Sequence, residues 1–201
     1  MLSEDDRLQR QLRFVLEIDK LKSVQRRTWL TDCTRSENSA EHSWHLAVMV
    51  LLLHEHSAET GLDLFRAVQM ALLHDLVEID AGDTFVYDDT AAKDKAAREQ
   101  AAADRLFALL PDDRAVEFRQ IWEEFEARET PEARFVAAVD RLQPLMHNYQ
   151  TQGKAWREHG VTSDKVLSRN RHMEEGSPRL WEYARNLIAD AVSRGFLAPP
   201  P

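Results

Sequence analysis

The sequence predicts an all-α protein built as one domain, and three observations carry that expectation. With six Gly and seven Pro in 201 residues, the chain has about half the usual share of turn formers, too few for the many reversals of an all-β chain. Its apolar residues recur at helical rather than strand spacing over most of its length. A chain of 201 residues is long enough for one substantial core and short for two typical domains.

Leu8, Leu12, Val15 and Leu16 fall at helical spacing in a first segment that ends near Lys22. A polar, irregular loop is expected from Ser23 to Asn38. Asn38-Ser39-Ala40-Glu41 has the spacing of a capping box. The helix after it carries His42, Leu46, Met49, Val50 and Leu53 on one face and should run to about Thr60, before Gly61. Asp63 can cap the next helix. Its run from Val68 to Leu76 is too apolar to be one-sided, which predicts a central, buried helix ending at Gly82. Thr84 to Thr90 reads as a loop and Ala91 to Leu110 as an Ala-rich helix. Arg114 to Ala127 reads as a further helix whose alternating charges mark an exposed face. Thr130-Pro131 opens a helix with Pro at its first position, leading into Phe135, Val136, Val139 and Leu142 and carrying Asp140. Beyond Gly153 a weaker helix is expected from Asp164 to Met173 and a clear one from Pro178 to Arg194, before a frayed tail at Ala198 to Pro201.

Composition narrows the function. A net charge of −9 repels nucleic-acid polymers, so none is expected as a partner. A small phosphorylated substrate remains compatible, because a bound metal ion and one or two arginines set the local potential. Mean hydropathy is −0.51, and no stretch approaches the ~20 apolar residues of a spanning helix, so no membrane role is expected. The acidic start, Met1 to Asp6, does not read as a secretory signal, which predicts a cytoplasmic protein. Cys33 is the only cysteine, so a metal here has to be held by histidines and carboxylates.

The sharpest local signal is His74-Asp75, two polar residues inside the apolar stretch from Ala71 to Val77. A buried carboxylate without a partner is costly, so Asp75 needs a cation or donors nearby. On a continuous helix Glu78 shares their face, four residues after His74 and three after Asp75. His42 lies on the apolar stripe of the preceding helix, where a histidine is either hydrogen-bonded or coordinating. Asp140, after Val136 and Val139, is a further carboxylate directed inward. Each has a plain structural reading: a buried His–Asp pair, a satisfied core histidine, a salt bridge from Asp140 to Arg141. Together, two imidazoles and two carboxylates on apolar helices make a donor set for a divalent first-row metal with open positions.

The order His42, His74-Asp75, Asp140 resembles the H…HD…D signature of the HD-domain metallophosphohydrolases. The likeness extends to Ala40-Glu41-His42-Ser43-Trp44, to His74-Asp75-Leu76-Val77-Glu78, to Gly82-Asp83 and to Asp140-Arg141-Leu142-Gln143-Pro144-Leu145. These motifs fit best the subfamily of 5′-deoxynucleotidases and the HD-domain-containing protein 2 group, over about residues 10–150. The resemblance implies a single-domain, HD-type helical bundle over residues 1–201, with C-terminal helices at 160–197 added to the family-like core. It implies His42, His74, Asp75 and Asp140 as ligands of one divalent transition metal (Mn, Co, Fe, Ni or Zn, with Mg a further candidate), and Glu78 and Asp83 as the catalytic acidic pair. Arg26, Arg27 and Trp29 are the expected substrate-binding residues, because the subfamily often has an arginine beside a tryptophan here. Thr28 stands where Gly is common, which leaves open which arginine faces the site. The implied reaction is hydrolysis of a deoxynucleoside 5′-monophosphate to nucleoside and phosphate, by a homodimer pairing through the helices from Ala91 to Ala127. The alternatives are another nucleotide phosphoester, such as a cyclic dinucleotide or alarmone, or metal and nucleotide binding without turnover. Elsewhere, His54 and His56 read as solvated, Glu41 as a capping residue, His45 as peripheral or surface, and His147 as a neighbour of Asp140 on the same helical face.

Overall fold

A computed structural model describes residues 4–200. Among the described residues the regular structure is helical except for one two-stranded sheet. Helix α1, Glu4–Ile18, opens on Glu4, Asp5 and Asp6, whose charges suit the positive end of the helix dipole. It runs into a 3-10 turn, Asp19–Ser23. Its periodic stripe does not face the core: Leu8, Leu12, Val15 and Leu16 are exposed, Leu16 at 74%, while Phe14 is the buried residue at 4%. Phe14 meets Phe118 edge to face at 5.7 Å.

Where the polar composition predicts an irregular loop from Ser23 to Asn38, the chain forms strands β1, Gln25–Trp29, and β2, Ser36–Asn38. They pair antiparallel, Gln25 opposite Asn38 and Trp29 opposite Ser36, with an irregularity between. Gln-Arg-Arg-Thr-Trp has no apolar alternation to announce a strand. Helix α2, Ser39–Leu53, begins with the capping box: Asn38 Oδ1 accepts from the Glu41 amide at 3.0 Å, and Glu41 Oε2 accepts from the Asn38 amide at 3.1 Å. It ends at Leu53 in a 3-10 turn, His54–His56, short of Thr60.

Asp63 caps α3, Leu64–Leu73. The continuous helix predicted as far as Gly82 breaks at His74 into a 3-10 turn, His74–Val77, followed by the short α4, Glu78–Ala81. No Gly or Pro marks the break; His74 Nδ1 bonds the Ala71 carbonyl at 3.0 Å as the α-helical ladder stops. Gly82 ends α4 with φ +73°. A 3-10 turn, Ala91–Lys93, and α5, Lys95–Phe107, occupy the Ala-rich stretch. Next come α6, Asp112–Ala127, and the 20-residue α7, Pro131–Gln150, with Thr130 as its cap and Pro131 at its first position. The C-terminal part is α8, Lys154–Glu158, α9, Ser163–Asn170, α10, Met173–Gly176, and α11, Pro178–Ser193. The tail is tied down as far as Ala198, which bridges Thr162, and Leu197 is buried.

Helix α7 is the spine. Phe135, Val136, Ala138 and Val139 are fully buried against Leu46 and Val50 of α2, Ala67 and Met70 of α3, Met173 of α10 and Ile188 of α11. The approach of α10 depends on Gly176, where a Cβ would lie 2.1 Å from the Arg134 carbonyl oxygen. A second apolar cluster joins Phe14, Leu21, Leu76, Val77, Leu106 and Phe107. Leu73 packs against both clusters, so the turn carrying His74 and Asp75 sits at their seam. No helix among the described residues is long and apolar enough to cross a membrane.

Candidate active site

Three elements meet at the seam: α2 brings His42, the turn after α3 brings His74 and Asp75, and α7 brings Asp140. One donor atom each from His42, His74 and Asp140 lie within 4.8 Å of one another. His42 is 0% exposed, with Nε2 2.9 Å from Asp140 Oδ1. Asp75 closes the group, its Oδ1 3.0 Å from His74 Nε2 and its Oδ2 3.9 Å from His42 Nε2.

The proton inventory tests whether this group fits a cation. The Ala71 carbonyl can only accept, so His74 Nδ1 carries the hydrogen and Nε2 presents a lone pair. That buried Nε2 has no hydrogen-bond partner and faces carboxylate oxygens of Asp75 at 3.0 Å and Asp140 at 3.8 Å. A lone pair set against two carboxylates, with no donor between them, is an arrangement a cation relieves; the donor set fits a divalent metal. On His42, Nδ1 lies 3.3 Å from Gln143 Oε1, an acceptor, which leaves Nε2 for the site. Burial and the charge of Arg26 lower the His42 pKa, but hydrogen bonds with Asp140 and Glu37 and the charge of Asp75 outweigh them and raise it to about 9. The proton between His42 and Asp140 thus stands where a cation would. Burial pushes the Asp140 carboxyl up, and its bond with His42 and the charges of Arg141 and the two histidines bring it well below the usual range. His74 shifts down, burial outweighing Asp75 and Asp140.

Of the two arginines of β1, only Arg26 reaches this group. Its Nη1 lies 2.9 Å from Asp75 Oδ2 and 3.6 Å from Asp83 Oδ1, and its Nε lies 3.3 Å from Glu37 Oε1. Arg27 is exposed and does not line the cleft of His74, Asp75 and Asp140; it lines the neighbouring cleft with Phe85 and Tyr87 and an outer groove with Trp29. Trp29 also stays outside the cleft of His74, Asp75 and Asp140: its Nε1 donates to Glu158 Oε2 at 2.9 Å, and Lys154 Nζ sits 3.1 Å over its ring. Glu78 and Asp83 line the cleft with His74, Asp75 and Asp140. Burial, then the charge of Asp75, pushes the Glu78 carboxyl well above the ordinary range, and Ser39 Oγ donates to its Oε2 at 2.6 Å. Burial also raises Asp83, with Arg26 opposing and Asp75 adding.

Sequence reasoning missed the residues that hold these groups in place. Glu37 is buried at the end of the hairpin and accepts from Gln143 Nε2 at 2.8 Å, so one carboxylate serves both Arg26 and, through Gln143, His42. Ser39 was hidden by its place in a capping sequence. His147 is linked rather than ligating, 3.1 Å from the Trp29 carbonyl and 3.3 Å from Gln143. His45 is half-buried beside His147, with ring centroids 5.5 Å apart, and His54 is exposed.

Comparison with known proteins adds a family. The pattern described as "HD domain" matches residues 18–181. The chain is 32% identical over 136 residues to the 5′-deoxynucleotidase HDDC2 of Xenopus laevis, covering 67% of this chain and 66% of the relative. It is 31% identical to the protein of that name from Homo sapiens, covering 67% and 65%. It thus spans just under two thirds of the length of these curated relatives. Among solved structures, a predicted metal-dependent phosphohydrolase from Magnetospirillum magnetotacticum MS-1 superposes with a TM-score of 0.91 at 54% identity, covering 96% of this chain and 99% of that one.

Proposed function

The chain belongs to the HD-domain family, and from that premise we propose that it is a metal-dependent phosphohydrolase, a 5′-deoxynucleotidase that converts deoxynucleoside 5′-monophosphates to nucleoside and phosphate. The observation that carries the reading is the His74 Nε2 lone pair facing Asp75 and Asp140, with Arg26, Glu78 and Asp83 on the same cleft. His42, His74, Asp75 and Asp140 hold one divalent ion in this reading, of the group Mn, Co, Fe, Ni, Zn or Mg. Such an ion supplies Lewis acidity toward a phosphoryl oxygen and makes water more acidic. Arg26 binds the phosphate: its guanidinium already sits among carboxylates and offers the fork geometry that phosphate oxygens accept. Glu78 and Asp83 are both raised by burial and by Asp75, with Arg26 opposing, so both take up a proton more readily than an ordinary surface carboxylate. In this reading one of them, when protonated, gives its proton to the departing 5′ oxygen while the other orients the attacking water.

In the same reading residues 1–201 are one HD domain acting in the cytoplasm on a small-molecule substrate. A homodimer pairing through the helices from Ala91 to Ala127 is part of the same reading; Val116 of α6 is a large apolar side chain exposed there. Trp44, Val48, Leu51 and Leu52 form an exposed stripe on α2, with Phe65 and Leu72 exposed on α3. Light scattering that finds a monomer at micromolar concentration rejects the dimer. The activity is tested by phosphate release from deoxy- and ribonucleoside 5′-monophosphates. Release from the deoxy series, abolished by a chelator and restored by Mn or Co, is expected; protein that binds one ion per chain yet releases phosphate from none of them contradicts the reading.

A further inference from the structure

Beside the metal cleft lies a second one, sharing Arg26, Asp83, Thr84 and Arg141 with it but walled by Phe85, Tyr87 and Trp156. Phe85 and Tyr87 meet edge to face, centroids 5.1 Å apart, and Asn170 Nδ2 lies 3.4 Å from the Tyr87 hydroxyl. Asn148 on α7 lines the same cleft and is 7% exposed. Its Nδ2 donates to the Pro144 carbonyl at 3.0 Å, which sets the orientation of the amide and leaves Oδ1 as an acceptor without a partner. Trp156 Nε1 and Arg141 Nε, also buried, have no hydrogen-bond partner, and Arg141, which lines both clefts, has Asp140 Oδ2 3.8 Å from its Nε. Buried polar atoms are normally paired, so an acceptor and donors left over on the residues lining one aromatic-walled cleft ask for a ligand. The ligand that satisfies both is planar, stacks on aromatic rings and carries an N–H beside a carbonyl or ring nitrogen. Nucleobases have that edge.

We propose that this second cleft is the nucleobase subsite and that Asn148 recognises the base edge. The inference rests on the nucleotide reading above, since Arg26, common to both clefts, then lies between phosphate and nucleoside. It goes further in naming where the base lies and what determines preference for a nucleotide over a bare sugar phosphate.

The test is the ratio of kcat/KM for a deoxynucleoside 5′-monophosphate to that for deoxyribose 5-phosphate, in the metal-loaded wild type, in Asn148→Leu and in Phe85→Leu. Asn148→Leu should lower the ratio about tenfold, the scale of one lost hydrogen bond, and Phe85→Leu by a smaller factor through lost stacking. Calorimetric titration of the metal-free proteins with thymidine and deoxyadenosine, which lack phosphate, runs in parallel. Saturable binding weakened by Asn148→Leu supports the subsite. A ratio unchanged in both variants, or nucleoside binding unaffected by them, overturns it. If the wild type hydrolyses neither substrate, the nucleotidase reading fails and the nucleoside titration alone decides, with no binding counting against the subsite. If Asn148→Leu does not fold, Phe85→Leu carries the same two readouts.

Discussion

The two clefts on either side of Arg26 are built from opposite materials. One is lined by His74, Asp75, Glu78, Asp83 and Asp140, with His42 buried behind them, and each of these groups is perturbed by or paired with another charge. The other has aromatic walls, and Asn148 Oδ1, Trp156 Nε1 and Arg141 Nε of its lining residues lack hydrogen-bond partners. The first is held by α2, α7 and the turn at the seam of two apolar clusters, so its geometry is imposed from both sides. The second draws Phe85 and Tyr87 from the irregular stretch after Gly82. Apart from Asp83, which follows Gly82 in that same stretch, regular elements and the seam turn therefore carry the charges, and the irregular segment supplies Phe85 and Tyr87 to the shape of the second. Changes in the first cleft should cost orders of magnitude in turnover, whereas changes in the second should move selectivity.

The largest effect is expected from removing a metal donor. His74→Ala takes away the lone pair, and turnover should fall on the order of 10³-fold or more with loss of bound metal, read by metal analysis and phosphate release on one preparation. Next comes Glu78→Gln, which keeps the size and removes the ionisable group. It should retain metal and lose ~10²-fold in turnover, the scale of a general acid or base. Because the folded Glu78 carboxyl is raised, its contribution to stability is full at acid pH and is lost as pH rises through its folded value. The Gln variant should therefore melt no lower than the wild type at neutral pH; a large drop in melting temperature with normal turnover would make Glu78 structural instead.

A smaller loss should come from Glu37→Gln, which donates nothing to the metal but lies 3.7 Å from His42 Nδ1. It weakens the hold on Gln143, and so on His42, and removes the anion beside Arg26. Metal affinity should fall about 10–100-fold, the usual range for partners of coordinating histidines, read by titration of the metal-free protein. The mildest effect is the pH dependence of that titration. Without metal, His42 keeps its proton up to about pH 9, against the ordinary 6.5, so its contribution to stability is full below 6.5 and lost as pH rises through 9. Metal has to displace that proton, so affinity should climb about tenfold per pH unit and level off near 9. A flat profile between pH 7 and 8.5 would mean that His42 is not displaced.

The contrast between the clefts also governs what the sequence made legible. His42, His74, Asp75 and Asp140 stand out because polar residues interrupt apolar helical stretches, and α2 and α7 announce themselves through Asn38-x-x-Glu41 and Thr130-Pro131. Glu37 and Ser39 lie where polar residues are common, and only long-range contacts reveal that they support His42, Arg26 and Glu78. The break at His74 has no Gly or Pro to mark it, so the sequence implies one helical face where a 3-10 turn aims the groups. The strand at Arg26 lacks alternation, which left both arginines equivalent until β1 turned Arg26 inward. The stripe of α1 shows the reverse failure, a clear periodicity that the fold leaves exposed. Asn148 carries no local signal, because an amide late in a helix is unremarkable without the cleft around it.

The most direct test of the central claim is anomalous diffraction from crystals of the protein grown with Mn. One peak per chain is predicted, within coordination distance of His42 Nε2, His74 Nε2 and carboxylate oxygens of Asp75 and Asp140, and absent from His74→Ala crystals. A peak at another site, or none in crystals of protein that still releases phosphate, would contradict the account.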